Sequence, residues 1–581
     1  MRPEIGSGRR ETITNICRKK MVRVFLVAFS LLTISTSTTV FAKTTIYTNG
    51  SIITMGTHNS VVEAMVVRQG KILGVGNSDA LSRRYGRGAS VVDLEGKTIV
   101  PGFIDAHSHF PASGAFIQGH LADLNSLPIG DVQNIEQILE KLRAQAERKK
   151  PGQWLLGMGY DDTLLPENRH PTKEELDQVS TEHPIWIYHI SGHLGVANSL
   201  GLAMAGIDKD TPNPGGGVID HDPVTGELTG LLEENAKVFM DGVVQKTDIW
   251  TAYQIAIAAS KQYLAAGVTT AQSGHHDTLK TMAMMLMGNL NLLPLRLVVW
   301  TNSDVGDKRA EGRFNNFFTR IFRKSWVSLG AVKLVADGSI QGFTGHLTEP
   351  YASDFHGDSE WRGYPTLPRD ELVEQVSKYH KAGLQVAIHG NGDAAIDDII
   401  YAYRIAQKNH YREDARPLIV HSQMAREDQL DAMAELNMMP TFFGLHTYYW
   451  GDRHRDTFIG PERAERISPA RSAQERGIRF SLHSDTPIVP MNPLLMVWNA
   501  VNRITSSGKV LGEKQTISVM AALRAVTIDA AWQVFEAKSR GSLEKGKLAD
   551  FVVLSENPLE NPKTIDRIQV METYIGGVRR F

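Results

Sequence analysis

Short apolar runs alternate with amphipathic stretches through most of this chain, and the two periods separate its regions. Between Thr44 and Val100, β-branched residues alternate with turn residues such as Asn49-Gly50 and Gln69-Gly70, in "TTIYTNGSIITM", "SVVEAMVVRQGKILGVG" and "SVVDLEGKTIV". That pattern predicts a small β-rich unit. The C-terminus resumes the style with "ADFVVLSENP" and "VMETYIGGVRRF". Chain ends often lie close together, so 43–100 and 536–581 are expected to form one composite β-sandwich domain.

The middle, 101–535, alternates apolar strands with helical stretches, the signature of βα units. Strand ends are expected at "TIVPGFIDAHSH", "GVTTAQSG", "LRLVVWTN", "AVKLVADGS", "LQVAIHGNGD", "PLIVHSQ", "MMPTFF" and "IRFSLHSD". Eight such units close an α/β (β/α)8 barrel of the TIM type. Helices over Arg369–Ala382 and Arg426–Leu436 fall between them. Two more strand-like runs, "WLLGMGYDD" and "IWIYHISGH", would make ten, so 111–250 reads as a large insertion after the first strand. The Met-rich "MAMMLMGNL" predicts a helix packing its stripe into the core.

Polar residues cluster where those strands stop. In "PGFIDAHSHF", His107 and His109 stand two apart, and in an extended segment residues i and i+2 share a face. Lys333, followed by Asp337-Gly338, ends strand four. His389 ends strand five, His421 strand six and Asp485 strand eight. In this fold the active site lies at the C-terminal strand ends, where residues distant in sequence converge. One such histidine is usually an ordinary core residue; neutral imidazoles and carboxylates gathered at five strand ends are the donor set of a zinc-like ion.

Composition narrows the class. The 581 residues are 42% hydrophobic and 22% charged with a formal net charge of −2, as in an ordinary globular protein. No global basic field points to nucleic acid. The N-terminal "RKKMVRVFLVAFSLLTISTSTTVFAK" has a basic start, an apolar stretch from Val24 to Leu32 and a small-residue exit at Val40-Phe41-Ala42. That is the layout of a secretory signal peptide over 1–42, with translation starting at Met1 or Met21. The apolar stretch falls short of the roughly 20 residues of a membrane span, so a secreted or periplasmic protein is expected. The single cysteine, Cys17, lies upstream of the cut, which leaves metal ligation to His and carboxylates.

The blocks "PGFIDAHSH", "VKLVADGSIQG", "AIHGNGDAAID", "IVHSQ", "HTYYWGDRH", "SLHSDTPIVP" and "GSLEKGKLADFVVL" resemble, in order, those of the metal-dependent amidohydrolase superfamily. They look most like the branch holding YtcJ-type proteins and N-substituted formamide deformylases. The resemblance implies that His107 and His109 bind the more buried metal, and His389 and His421 a second one. Asp485 is implied to bind metal and shuttle a proton. Lys333 matches the lysine that in many relatives is carboxylated and bridges two ions, zinc above all; the competing reading is an ion-paired lysine and a mononuclear site. His193 is a candidate for catalysis from the insertion, with a structural role equally open. His446, Trp450 and Asp452 follow strand seven as candidate pocket wall. Glu234 and Arg503 read best as charged surface residues.

The implied reaction is hydrolysis of a non-peptide C–N bond (amide, N-acyl or N-formyl) in a small-molecule substrate, using metal-activated water. A deaminase on the same scaffold is the alternative, and a non-catalytic periplasmic binding protein is the alternative of another class. Assembly into a homo-oligomer stays open.

Overall fold

A computed structural model describes residues 44–244, 247–314 and 326–581. The expected signal peptide, with Cys17, lies outside the described residues. Among the described residues no helix is long and apolar enough to cross a membrane.

Eight parallel strands form one curled sheet: β1 (Phe103–Ile104), β2 (Val268–His276), β3 (Arg296–Thr301), β4 (Val327–Val335), β5 (Val386–Gly390), β6 (Leu418–His421), β7 (Met439–Phe443) and β8 (Ser481–His483), each paired with its sequence neighbour. All eight coincide with the runs expected from sequence. Their residues are buried almost throughout, as a parallel sheet covered on both faces requires. The helices behind them explain the intervening periodicity. Arg369–Lys381 and Glu427–Glu435 fall within a residue or so of expectation. Asp393–Asn409 follows β5 and buries Ile396, Ile399, Ile400 and Tyr403 on one stripe, each worth about 1.5–3 kcal/mol on full burial. The Met-rich helix, Thr278–Asn289, buries Met284, Met285 and Met287 as its pattern predicts.

The run "TIVPGFIDAHSH" is not one strand. Thr98–Pro101 joins a different sheet, and the chain crosses to β1 at Gly102. A Cβ there would meet the Thr269 side chain at 2.3 Å, so only glycine permits the crossing. The sheet it leaves has Thr98–Pro101 parallel to Ser51–Ile53 on one side and antiparallel to Phe551–Leu554 on the other. Both chain ends therefore share a sheet. A second, four-stranded sheet (Thr45–Thr48, Ala64–Arg68, Lys71–Gly76, Ser90–Asp93) lies against it through one apolar cluster containing Tyr47, Met65, Ile72, Ile99, Phe551 and Val553.

Between β1 and β2 a separate six-stranded sheet holds the two extra runs, as Leu155–Tyr160 and Ile185–His189, side by side and parallel. Ala122–Asp123, Leu194–Ala197, Gly217–His221 and Leu228–Glu234 complete it. The helix Ile249–Ala265 then leads into β2, so the expected insertion boundary at 250 falls at that helix's start.

Candidate metal centre

Beyond Ile104 the chain bends at Ala106 and His107 and is held on two sides. His109 bridges Ser273 of β2, and its N–H donates to the carbonyl of Thr486 at 2.8 Å. His107 and His109 face one way; Ser108 between them turns back and bonds Asp105 and Tyr263. The two rings converge although a bend, not a strand, carries them. The His107 Nε2 and His109 Nε2 approach the same oxygen, Asp485 Oδ1, at 3.3 and 3.4 Å. One ligand atom from each of the three residues lies within 4.8 Å of the others.

The tautomer of His107 is fixed from behind. Its Nδ1 sits 3.0 Å from Gln272 Oε1, which also accepts the Ser108 N–H at 2.8 Å. An amide oxygen only accepts, so Nδ1 carries the proton and Nε2 offers a lone pair. The ring stacks on Trp300 at 5.2 Å. His389 is built the same way. Its Nδ1 donates to Asp337 Oδ1 at 3.0 Å, and Asp337 is itself anchored by the backbone N–H groups of Asn391, Gly392 and His346. His421 stacks edge-on to His389 at 4.6 Å and brings Nε2 to 4.0 Å from Asp485 Oδ2.

Burial holds His107, His389 and His421 well below the usual imidazole range, so each is neutral and able to ligate. Burial alone would raise Asp485, but His109 and His107 beside it hold its carboxyl well below the usual range. Its Oδ1 is buried and has no hydrogen-bond partner. A buried carboxylate oxygen facing the ring nitrogens of two histidines is suited to a cation between them. The residues therefore fit a divalent metal. Asp485 and His421 also hold left-handed backbone, at φ 54° and 73°, a strain that clusters at functional positions.

Lys333, on β4, points its Nζ to 3.4 Å from His107 Nε2, and burial pushes its ammonium down to about 7. From the insertion, His193 lies with its ring 4.8 Å from that of His389. His446 is buried with its ring 6.0 Å from His421. Trp450 is one ring further out, 6.1 Å from His446, with its Nε1 directed to Asp161 at 3.4 Å. It lines a cleft between insertion and barrel with Leu127, Ile190, Tyr449 and Arg453. Asp452 is away from the centre, paired with Arg455 at 3.3 Å.

Two expectations need correction. Arg503 is not a surface residue: it is 4% exposed and donates to the carbonyls of Leu511 and Ile467, both at 2.9 Å. Glu234 is 6% exposed, with Oε2 2.7 Å from His193 Nδ1. Strand Leu228–Glu234 is interior to the insertion's sheet, which buries its end. Sequence reasoning also passed over Gln272, and gave Asp337 no role, because neither is a ligand. It missed His483, fully buried 5.3 Å from His107 with both ring nitrogens unpartnered, although "LHSD" carries it two residues before Asp485.

Residues 90–581 match the family model described as amidohydrolase family. The chain is 28% identical over 546 residues to an N-substituted formamide deformylase from Arthrobacter pascens, covering 92% of this chain and 97% of that one. It is 27% identical to the putative amidohydrolase YtcJ of Bacillus subtilis (strain 168), covering 92% and 98%. Among solved structures, an uncharacterized metal-dependent hydrolase from Pyrococcus horikoshii aligns with a TM-score of 0.71 at 24% identity, over 90% of this chain and 99% of the other. That last likeness speaks to fold.

Proposed function

The chain belongs to the amidohydrolase family, and from that premise we propose that it hydrolyses a non-peptide C–N bond (an amide, N-acyl or N-formyl group) with a divalent metal, zinc in the first instance. The observation that carries this reading is the approach of His107, His109 and Asp485 ligand atoms to within 4.8 Å of one another. His107, His109 and Asp485 would hold one ion. His389 and His421 would hold a second, with a carboxylated Lys333 between them; a neutral amine at that buried position is the form that takes up CO2.

When bound, such an ion supplies Lewis-acid polarisation and a water acidified to near neutral pH. The chain's own residues do the rest. Asp485 accepts a proton from the attacking water and returns it to the leaving nitrogen. Gln272 and Asp337 keep His107 and His389 in the ligating tautomer. His193 contacts the substrate from the insertion side, and His446 and Trp450 line its pocket.

The same reading assigns 1–42 to a cleaved signal peptide and the mature protein to the periplasm or exterior. It also groups 43–100 and 536–581 as a composite β-sandwich domain beside a barrel of 101–535 with its insertion 111–250. Metal analysis of the purified protein, followed by a panel of N-acyl and N-formyl compounds, tests the activity. Bound zinc with turnover of at least one panel amide is expected. A protein that takes up no divalent ion on reconstitution, or turns over none of the panel, refutes it.

A further inference from the structure

Glu234 ends the last long strand of the insertion with a buried carboxylate and a backbone that an L-residue rarely adopts, φ 46° and ψ −118°. It is tied to His193 twice. Its N–H donates to the His193 carbonyl at 2.8 Å, and its Oε2 accepts from His193 Nδ1 at 2.7 Å. The loop between is braced as well: His193 N–H donates to Ser191 Oγ at 3.1 Å, and the Lys237 ammonium holds the Gly192 carbonyl. On the barrel side, Gly338 lets the carboxylate in. A Cβ there would lie 2.1 Å from Glu234 Oε1 and 2.1 Å from Thr344 Oγ1.

We infer that Glu234 is a positioning residue: it fixes the His193 ring beside His389 by holding its Nδ1–H, so that Nε2 is left to the substrate. An ionised carboxylate only accepts, which places a proton on Nδ1 and leaves Nε2 free of the pair. The pair repeats the Asp337–His389 arrangement, with the two imidazoles 4.8 Å apart. The inference rests on the amide-hydrolase reading for its substrate, not for the geometry of the pair.

The test uses the zinc-reconstituted full chain and three variants, Glu234→Gln, Glu234→Asp and His193→Gln. Glutamine keeps the shape of glutamate but removes the charge that holds the Nδ1 proton; aspartate keeps the carboxylate. With formanilide, acetanilide and N-acetylglycine as probes, Glu234→Gln is expected to keep wild-type zinc and lower kcat by about 10–100-fold. KM should change far less. Glu234→Asp should recover part of the loss, and the double variant Glu234→Gln/His193→Gln should be no slower than His193→Gln alone. Wild-type kcat in Glu234→Gln, loss of zinc in it, or additive losses in the double variant would each overturn the inference. If the wild type turns over none of the probes, the amide reading fails for them while the pair is still judged by crystallography. A Glu234→Ala structure with the His193 ring unmoved beside His389 would then sink it.

Discussion

The backbone N–H of Asp485 donates to the carbonyl of His107 at 3.2 Å. The segments that follow the last and first strands are thus joined at two of the three residues that share the candidate metal. With the neighbouring bond from His109 N–H to Thr486, the curled sheet is closed at its C-terminal rim by the ligand-bearing segments themselves.

Because those bonds are made by backbone, side-chain truncation leaves them intact. His107→Ala is expected to fold, to lose metal, and to lose activity by about three orders of magnitude, as removal of a Lewis acid implies. Elemental analysis alongside circular dichroism checks this. A full metal complement in the folded variant would mean that the ligands are misassigned.

Gln272 touches no proposed ion, yet it sets which nitrogen of His107 is free. Gln272→Met keeps the volume and removes the acceptor. Zinc affinity should fall about 10–100-fold, read by competition with a chelator. Unchanged affinity would show that the ring keeps its tautomer without help.

Lys333 makes a prediction about pH. In the unfolded chain lysine titrates near about 10.4, whereas burial lowers it to about 7 in the folded protein. Between those values the unfolded state binds a proton that the folded state does not. Stability of the metal-free protein should therefore rise with pH across that window. Urea melts in CO2-free buffer at both ends of the window, compared with Lys333→Met, isolate the contribution. A wild type and variant with the same pH slope would contradict it. In the metal-loaded protein Lys333→Ala should also lower metal stoichiometry from about two to one.

Export is checked separately. Protein recovered from its native compartment should begin near Lys43, as N-terminal sequencing would reveal. Recovery there with Met1 or Met21 intact would end that reading.

The eight barrel strands were legible because each is an apolar run that stops at a polar residue, and a parallel sheet buried on both faces leaves few other ways to write one. His107, His109, His389, His421, Lys333 and Asp485 were legible for the same reason, since strand ends are where the fold collects chemistry. Gln272 and Asp337 were not, because each bonds a candidate ligand rather than being one, and an amide or carboxylate has many ordinary uses. Glu234 and Arg503 were misjudged because charge was read as exposure. Each is buried against a partner far away in sequence, His193 for one and the Ile467 carbonyl for the other. The split at Gly102 was hidden because two strands of different sheets follow each other with one residue between.

The antiparallel pairing of Thr98–Pro101 with Phe551–Leu554 sets an order of assembly. The segment that delivers His107 cannot acquire its flanking strand until some of the last residues of the chain have left the ribosome. The N-terminal half must wait with an open sheet edge, the condition most exposed to aggregation. Under the export proposed above, the chain crosses its membrane unfolded and that delay coincides with transit. The metal site would then be completed only where the finished protein is released.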